Sequence, residues 1–435
     1  MEYGCQVYGS ACKTTLSKLD VVHNSALRIC TGAYRTSPVE SLYVDSGIPP
    51  LFIRREELGL RCIARILTSK LNPNYKYVKK PTDRAPTRLR LPKPLEVRFS
   101  NSAHEVGLLP PSVAEVCPPK CPPWVRPNLT VCHDIGNKKN RSDGELKASF
   151  LDHAAEHNNS VAIYTDGSKT TSGVGCSVVT PERIIKKKLP PSFSVFTAEL
   201  LAVLTALKNI FFSSPPGSNF TIFIDSKSVL ASLKKLIPSH YLVREIQDWF
   251  YLLLRRRNIS VKFCWVPSHV GVVGNERADV AAKDASRLSH ISSVDIPVSD
   301  FRNTIRSYCR DKWQDHWSNL NNNFKLKSIR PSVHPWPCIR LDRRSEIVLT
   351  RLRVGHTRYT HRYLMESGVG RQVPRCSTCH VDLSVLHILV QCPNFENERR
   401  ACLLANKTLA DILGEDAHAE QVVEFLKKIN LLYEI

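Results

Sequence analysis

Residues 161–167 read Val161-Ala162-Ile163-Tyr164-Thr165-Asp166-Gly167, a short apolar run that ends in an acid and a glycine. Such a run predicts a buried strand followed by a turn. Two further strands are predicted at residues 173–180 and 183–189, joined by a tight turn at Pro181-Glu182. The three segments together predict the antiparallel start of a sheet.

Helices and strands alternate after this start. A helix with an apolar face is predicted at residues 196–212, where Ser213-Ser214-Pro215-Pro216-Gly217 ends it. The elements predicted next are a strand at 220–225, helices at 226–236 and 241–257, a strand at 260–266, and a helix from about Asn275. This order predicts an α/β fold, with a mixed five-stranded sheet and helices on both faces.

Four acids lie at the ends of these elements. Asp166 and Asp225 end two strands that we expect to run parallel, so both ends fall on one edge of the sheet. Glu199 lies in the first turn of the intervening helix, and Asp279 in the first or second turn of the last helix. The four carboxylates are therefore predicted to converge where open α/β folds usually bind ligands.

Four carboxylates in one cleft repel each other unless a cation is present. Oxygen ligands suit hard divalent ions, above all Mg²⁺, with Mn²⁺ as an alternative. Two such ions roughly 4 Å apart would support hydrolysis of a phosphodiester. Taken singly, each acid has another explanation as a turn residue, a helix cap or a solvated helix position, but their order and spacing disfavour it.

Four motifs around these acids resemble, in the same order, those of type I ribonuclease H. They are Tyr164-Thr165-Asp166-Gly167-Ser168, Thr197-Ala198-Glu199-Leu200, Ile224-Asp225-Ser226-Lys227-Ser228, and Trp265 to Gly271 continued by Gly274-Asn275-Glu276-Arg277-Ala278-Asp279. The resemblance covers residues 159–290. It implies an enzyme that cuts the RNA strand of RNA–DNA hybrids endonucleolytically, with Asp166, Glu199, Asp225 and Asp279 as ligands of two metal ions.

Other residues of the motifs have less certain roles in the predicted site. The resemblance implies that His269 is a mobile histidine that assists proton transfer or product release, the alternative being a loop histidine without a task. Asn275 is predicted to cap the last helix, to contact substrate, or both. Ser168 and Ser226 offer hydroxyls to a phosphate or to the 2′-OH that distinguishes RNA.

A Cys/His cluster with the spacing C-x2-C-x7-H-x4-C predicts a structural Zn²⁺ site. Its ligands are Cys376, Cys379, His387 and Cys392. A chance cluster is the alternative. The nearby residues His380 and Cys402 also make it possible that one of them replaces one of the four ligands. The site either binds nucleic acid or holds together a small domain with little core.

Two further groups have simpler interpretations. Trp313 and Trp317 lie four apart on a predicted helix, where a place in the core is favoured over stacking on bases. A second metal site would consist of Cys117, Cys121, Cys132 and His133. It is disfavoured because prolines lie between Cys117 and Cys121.

Composition restricts the partners. The formal charge of +21, from 61 Lys and Arg against 40 Asp and Glu, favours a polyanion such as nucleic acid or an anionic membrane surface. No segment is predicted to reach the 18–20 apolar residues of a membrane span, so no membrane partner is expected. The first residues lack the pattern of a signal peptide, and 15 cysteines, an odd number, indicate free thiols or metal sites. We therefore expect an intracellular protein, nuclear or cytoplasmic.

The regions flanking the predicted nuclease resemble parts of arthropod non-LTR retrotransposon polyproteins of the jockey or X-element type. Residues 1–75 resemble the segment after the reverse transcriptase core, and 351–356 the stretch before the zinc cluster. The remaining predicted regions are a basic, proline-rich linker at 76–158, a helical or irregular connector at 291–370, the zinc cluster at 371–400 and a helical tail at 401–435. The sequence contains no Asp-Asp pair, so the polymerase motif is missing and reverse transcription is not expected.

Three functions are compatible with these features. The first is an active hybrid-specific ribonuclease, as the C-terminal part of a truncated retrotransposon product. The second is a catalytically silent, nucleic-acid-binding remnant of such a polyprotein. The third is an integrase-like nuclease on the same fold, which the segment Asn275–Asp279 disfavours. Cleavage preference and oligomeric state are left open by the sequence.

Overall fold

The computed structural model of the chain describes residues 2–80, 93–109, 113–116, 122–125, 129–132, 141–321, 323–337, 341–365, 372–415 and 418–435. These residues belong to two compact units. The first comprises Met1–Gly59, Pro86–Arg98 and Arg306–Ile435, and the second comprises Leu60–Ala85 and Phe99–Ile305.

The described residues form helices in both units and strands in the second. The helices are α1 Cys5–Tyr8, α2 Lys13–Thr31, α3 Val39–Ser46, α4 Leu51–Leu67, α5 Tyr75–Lys79, α6 Leu95–Arg98, α7 Ser100–Glu105, α8 Asp143–Ala155, α9 Val195–Ser213, α10 Lys227–Leu233, α11 Tyr241–Arg257, α12 Val273–Ala285, α13 Val298–Asn319, α14 Lys325–Ile329, α15 Arg343–Val354, α16 Arg358–Met365, α17 Glu396–Ala401, α18 Leu409–Leu413 and α19 Ala419–Lys428. The strands are β1 Thr130–Cys132, β2 Val161–Thr170, β3 Gly173–Val179, β4 Ile184–Leu189, β5 Asn219–Ile224 and β6 Ser260–Trp265.

The six strands form one sheet in the second unit, in the order β1-β6-β5-β2-β3-β4. Strands β2, β3 and β4 are antiparallel neighbours, and β1, β6, β5 and β2 run parallel. The predicted mixed sheet is thus confirmed, but the predicted number of five strands is wrong. The sixth strand, β1, has only three residues, which is too short to show alternation in the sequence.

The expected linker at residues 76–158 is also wrong near its C-terminal end, because α8 lies there. This helix begins with a capping box, in which the Ser142 hydroxyl accepts from the Glu145 amide and the Glu145 carboxylate accepts from the Ser142 amide. Its buried residues Leu146 and Phe150 pack into the unit, and Phe150 meets Phe223 of β5 edge-on at 5.2 Å between ring centroids.

Helices cover both faces of the sheet around β2 and β3, as predicted. Alternate residues of a strand point to opposite faces, and Gly167 lies against α9 whereas Gly175 of β3 lies against α12. By length and composition α9 is apolar enough to cross a membrane, contrary to the expectation from sequence. Its apolar window is 67% buried, which is the pattern of a core helix.

The first unit is helical and is built around α15. This helix packs against α2 and α3 from the N-terminal part of the chain and against α14, α18 and α19 from the C-terminal part. Trp313 and Trp317 are both buried in this unit, and the Trp317 indole donates to the Arg330 carbonyl at 3.2 Å. The interpretation of the two tryptophans as core residues is confirmed.

Candidate active site

Two of the predicted acids are placed side by side by the register of parallel strands. Thr165 of β2 pairs with Ile224 of β5, so Asp166 and Asp225 occupy the next positions of neighbouring strands. Strand β2 continues to Thr170, four residues beyond its predicted end, and Asp166 therefore lies within it. Carboxylate oxygens of Asp166, Glu199 and Asp225 lie within 4.8 Å of one another.

Glu199 reaches this cluster because α9 lies directly on β2 at Gly167. A Cβ atom at Gly167 would lie 2.4 Å from the Glu199 nitrogen and 2.9 Å from the Ala198 Cβ. Only glycine allows so close an approach. Helix α9 begins at Val195, after the cap Ser194, so Glu199 lies in its second turn. The prediction that Glu199 lies in the first turn is wrong.

The three carboxylates share a buried, electrically unfavourable position. Burial, and then the charges of Asp225 and Asp279, raise the pKa of Asp166 to about 7. Burial and the charges of Asp166 and Asp225 raise the pKa of Glu199 well above its usual range. Burial also raises the pKa of Asp225. The cluster is thus unstable as a set of free anions at neutral pH.

A divalent cation fits this arrangement. The donors are carboxylate oxygens, which Mg²⁺ and Mn²⁺ prefer. The Oε2 atom of Glu199 is buried without a hydrogen-bond partner among the described residues, and a cation would satisfy it. Asp166, Glu199 and Asp225 are therefore the residues that would hold the ion.

Asp279 lies beside the trio in a second group of ligand atoms. His269, Glu276 and Asp279 each place one such atom within 4.8 Å of the others. The Asp279 carboxylate forms an ion pair with Lys283 at 2.7 Å. Its charge still raises the pKa values of Asp166 and Asp225, so it is close to both. Glu276 and Lys283 were not among the predicted site residues, although the spacing of four between Asp279 and Lys283 on a helix indicates such an ion pair.

The structure assigns Asn275 a partner that the sequence did not indicate. Helix α12 begins at Val273 with Val272 as its cap, so the interpretation of Asn275 as a cap is wrong. Asn275 is 3% exposed, and its side chain hydrogen-bonds to Asp225, which lowers the pKa of that carboxyl against the effect of burial. Its predicted contact with substrate stays a prediction.

The histidine and the two serines differ in their surroundings. His269 is exposed, has a φ of 57°, and lies close enough to Asp225 to lower the pKa of that acid. Ser226 caps α10 by accepting from the Val229 amide at 3.4 Å, a role considered for Asp225 instead. Ser168 is half-buried on β2. Substrate contacts of both serines stay predictions.

The comparison with known families agrees with this geometry. The RNase H family model matches residues 158–287. The match supports an RNase H domain in this part of the chain. No curated protein matches the chain.

The family match supports a nuclease that acts on nucleic-acid hybrids, and RNase H proteins generally use divalent metals. The matched residues contain all four predicted acids, His269 and Asn275. Within the described residues of the RNase H domain, three of the four acids form one group and Asp279 the adjacent one.

The predicted zinc ligands come together in the first unit. The Sγ atom of Cys392 lies 3.9 Å from that of Cys376 and 4.0 Å from that of Cys379, and His387 completes the group. Tetrahedral zinc with Zn–S bonds of about 2.3 Å places its sulfurs about 3.8 Å apart. The cluster is therefore compatible with zinc. His380 and Cys402 are not members of this group.

A tight loop and a wide helical turn position these ligands. The Cys376 amide donates to the Val381 carbonyl at 2.9 Å, and the His380 amide donates back to the Cys376 carbonyl at 3.0 Å. A π-helical turn at His387–Gln391 then places Cys392 one turn after the histidine. Hydrogen bonds from the Cys379 backbone and the His387 side chain lower the pKa of Cys376 to about 6, whereas burial and the neighbouring thiols of Cys376 and Cys392 raise the pKa of Cys379 to about 11.

The disfavoured second metal group falls largely outside the described residues. Cys117, Cys121 and His133 are not described. Cys132 is described and lies on β1, where its register partner is Cys264 of β6.

Proposed function

We propose that the chain is a ribonuclease that cleaves the RNA strand of RNA–DNA hybrids endonucleolytically by two-metal hydrolysis. The observation that carries this proposal is the buried group Asp166, Glu199 and Asp225, whose convergence and raised pKa values favour the binding of a divalent cation. The RNase H family match supports nucleic acid as the substrate class. The charge of +21 supports a polyanionic partner.

The residues of the site have distinct roles in this proposal. Asp166, Glu199, Asp225 and Asp279 hold the ions, and Asn275 orients Asp225. Bound Mg²⁺ or Mn²⁺ supplies an activated water and charge stabilisation at the leaving oxygen. The exposed imidazole of His269 is placed to carry a proton away from or toward the cleaved phosphodiester. Ser168 and Ser226 flank the acids, where hydroxyls would contact phosphate or a 2′-OH.

The test is cleavage of an end-labelled RNA–DNA hybrid with Mg²⁺ by the full chain and by Asp166→Asn. Since loss of a residue that only orients a metal ligand costs about 10–100-fold, loss of the ligand itself should cost at least about 100-fold. Asp152→Asn, at an exposed acid of α8, is the matched control and should cleave normally. Duplex DNA and single-stranded RNA as substrates separate this enzyme from an integrase-like nuclease.

A catalytically silent remnant is the second candidate, and the Asp279–Lys283 ion pair favours it. In that case Asp279 would bind Lys283 in place of a metal ion. Folded protein that binds Mg²⁺ but leaves the hybrid intact would contradict the ribonuclease and support the remnant.

We further propose that the protein derives from a non-LTR retrotransposon polyprotein. The support is the order of an RNase H domain and a C-x2-C-x7-H-x4-C cluster that is compatible with structural Zn²⁺. The genomic sequence around the gene should encode a reverse transcriptase core upstream. An unrelated conventional gene structure there would contradict this origin.

A further inference from the structure

Four metal-binding side chains lie together at the edge of the sheet that carries β1. Cys132 ends β1 and pairs in register with Cys264 of β6. His153 lies in the last turn of α8, and His157 follows two residues after the helix ends. One ligand atom from each of the four lies within 4.8 Å of those of the others.

The fold brings these residues together through one lateral row of the sheet. Tyr164, Phe223, Cys264 and Cys132 are successive partners across four parallel strands, so their side chains share a face. Helix α8 covers that face through Phe150. The spacing His153-x3-His157 turns both imidazoles to one side of the helix, with ring centroids 5.0 Å apart.

The histidine nitrogens lack the partners that buried polar atoms require. His153 has Nδ1 at 3.5 Å from a Glu156 carboxylate oxygen, and its Nε2 is buried without a partner among the described residues. Both ring nitrogens of His157 are likewise buried without a hydrogen-bond partner among the described residues. A buried nitrogen without a hydrogen-bond partner destabilises the fold, and a bound metal ion removes that cost. A carboxylate on the far nitrogen of a histidine is also the usual outer partner of a metal ligand.

Unpartnered nitrogens alone do not distinguish the site, since His240 has two as well. His240, however, belongs to none of the groups of metal-binding side chains found in the described part of the chain. The convergence of two thiols and two imidazoles is what separates His153 and His157 from it.

We propose that Cys132, His153, His157 and Cys264 bind a second structural Zn²⁺ ion. Two thiolates and two imidazoles in a tetrahedron are a preferred zinc environment. Bond lengths of about 2.0–2.3 Å place neighbouring ligands about 3.3–3.8 Å apart, so the group needs to contract by about 1.5 Å at most. The ion ties the three-residue strand β1 and the helix α8 to β6. This proposal does not depend on nuclease activity.

The experiment is a zinc count on the full chain, expressed with added zinc and purified under reducing conditions without chelator. Mass spectrometry of the metal should find two equivalents in the wild type. Cys132→Ser and, separately, His157→Gln should each lose one, and both residues are only half-buried, which favours folding of the variants. Cys379→Ser, which removes a ligand of the other zinc cluster, should also lose one zinc equivalent. His240→Gln is the matched control and should keep both zinc equivalents.

Replacing zinc by Co²⁺ shows which of the two sites holds the ion that remains in each variant. In Cys379→Ser the bound Co²⁺ should show tetrahedral bands with weaker sulfur charge transfer than in Cys132→Ser, because two thiolates bind it and not three. A zinc content in Cys132→Ser and His157→Gln equal to that of the wild type would overturn the proposal. A Cys132–Cys264 disulfide in the purified protein would do the same.

Discussion

Asp166 shows how a single residue links the electrostatics of the site to the stability of the fold. It is 6% exposed and lies among other acids, and its pKa rises from 3.8 to about 7 as a consequence. In the unfolded chain the same carboxyl ionises at the lower value. Without a metal, the folded protein therefore binds more protons than the unfolded chain between pH 3.8 and about 7.

The sign of the resulting pH dependence follows directly. The free energy of unfolding of the metal-free protein should fall as pH rises through this window, by at most about 1.4 kcal/mol per pH unit for one proton. Mg²⁺ should recover the loss above pH 7, because the cation favours the ionised acids. Urea unfolding with and without Mg²⁺ measures this. Asp166→Asn should flatten the metal-free pH profile, and an unchanged profile in that variant would contradict the assignment.

Lys283 competes with a cation for Asp279. Their ion pair, at 2.7 Å, is exposed on the lysine side, so its strength is modest. Lys283→Ala should lower the Mg²⁺ or Mn²⁺ concentration needed for half-saturation, by about fivefold at most. Calorimetric titration measures the affinity. Lys186→Ala removes a similar pair with Asp284 of the same helix and should leave the affinity unchanged; weaker metal binding in Lys283→Ala would refute the competition.

At the scale of the elements, close approaches at glycines set the geometry of the site. Gly167 lets α9 lie on β2. Gly274 of α12 plays a similar part, because a Cβ there would lie 2.2 Å from the Tyr164 ring. Gly175 brings α12 onto β3, where a Cβ would lie 2.4 Å from the Ala282 carbonyl. These glycines, of which Gly167 and Gly274 belong to the motifs, therefore position the acids, although none of them carries a functional group.

Gly167→Ala tests this positioning. The added methyl group must push α9 away, which should destabilise the domain by about 1–3 kcal/mol. Hybrid cleavage should fall further, by about 100-fold, because a displacement of about 1 Å in a catalytic group has an effect of that size. Denaturant unfolding and cleavage rates are the measurements. Gly144→Ala, where a Cβ meets nothing within 4 Å, is the control; equal effects of the two substitutions would refute the argument.

At the scale of the whole molecule, the described parts of residues 1–59 and 306–435 form one unit. Asp45 of α3 is 8% exposed and accepts from the Thr350 hydroxyl of α15 at 2.9 Å. The charge of the buried Arg353, also on α15, lowers the pKa of Asp45 against the larger, opposite effect of burial. Segments about 300 positions apart thus depend on each other for a buried polar contact.

Asp45→Ala should therefore destabilise the first unit by about 1–3 kcal/mol, since it leaves the Thr350 hydroxyl buried without its acceptor. Guanidinium unfolding followed by tryptophan fluorescence measures the change. Asp20→Ala, at a half-buried acid of α2, should cost less than about 1 kcal/mol. A cost for Asp45→Ala no larger than that of the control would mean that the two parts of the chain fold without this contact.

The sequence alone determined the elements whose pattern is local and strong. Helix α11 begins and ends where predicted, at Tyr241 and Arg257, and β3, β5 and β6 lie within about one residue of their predicted positions. Alternation and helical periodicity are properties of neighbouring residues, so they need no knowledge of the fold. The convergence of Asp166, Glu199 and Asp225 followed from the order of these elements.

Only the tertiary structure decided what depends on distant partners. The three residues of β1 become a strand because β6 offers them an edge, and Asn275 binds Asp225 because α12 begins two residues earlier than predicted. The group of Cys132, His153, His157 and Cys264 spans more than 130 positions of the sequence, and no local spacing predicts it. Contacts of this kind depend on how chain segments pack, which no short stretch of sequence encodes.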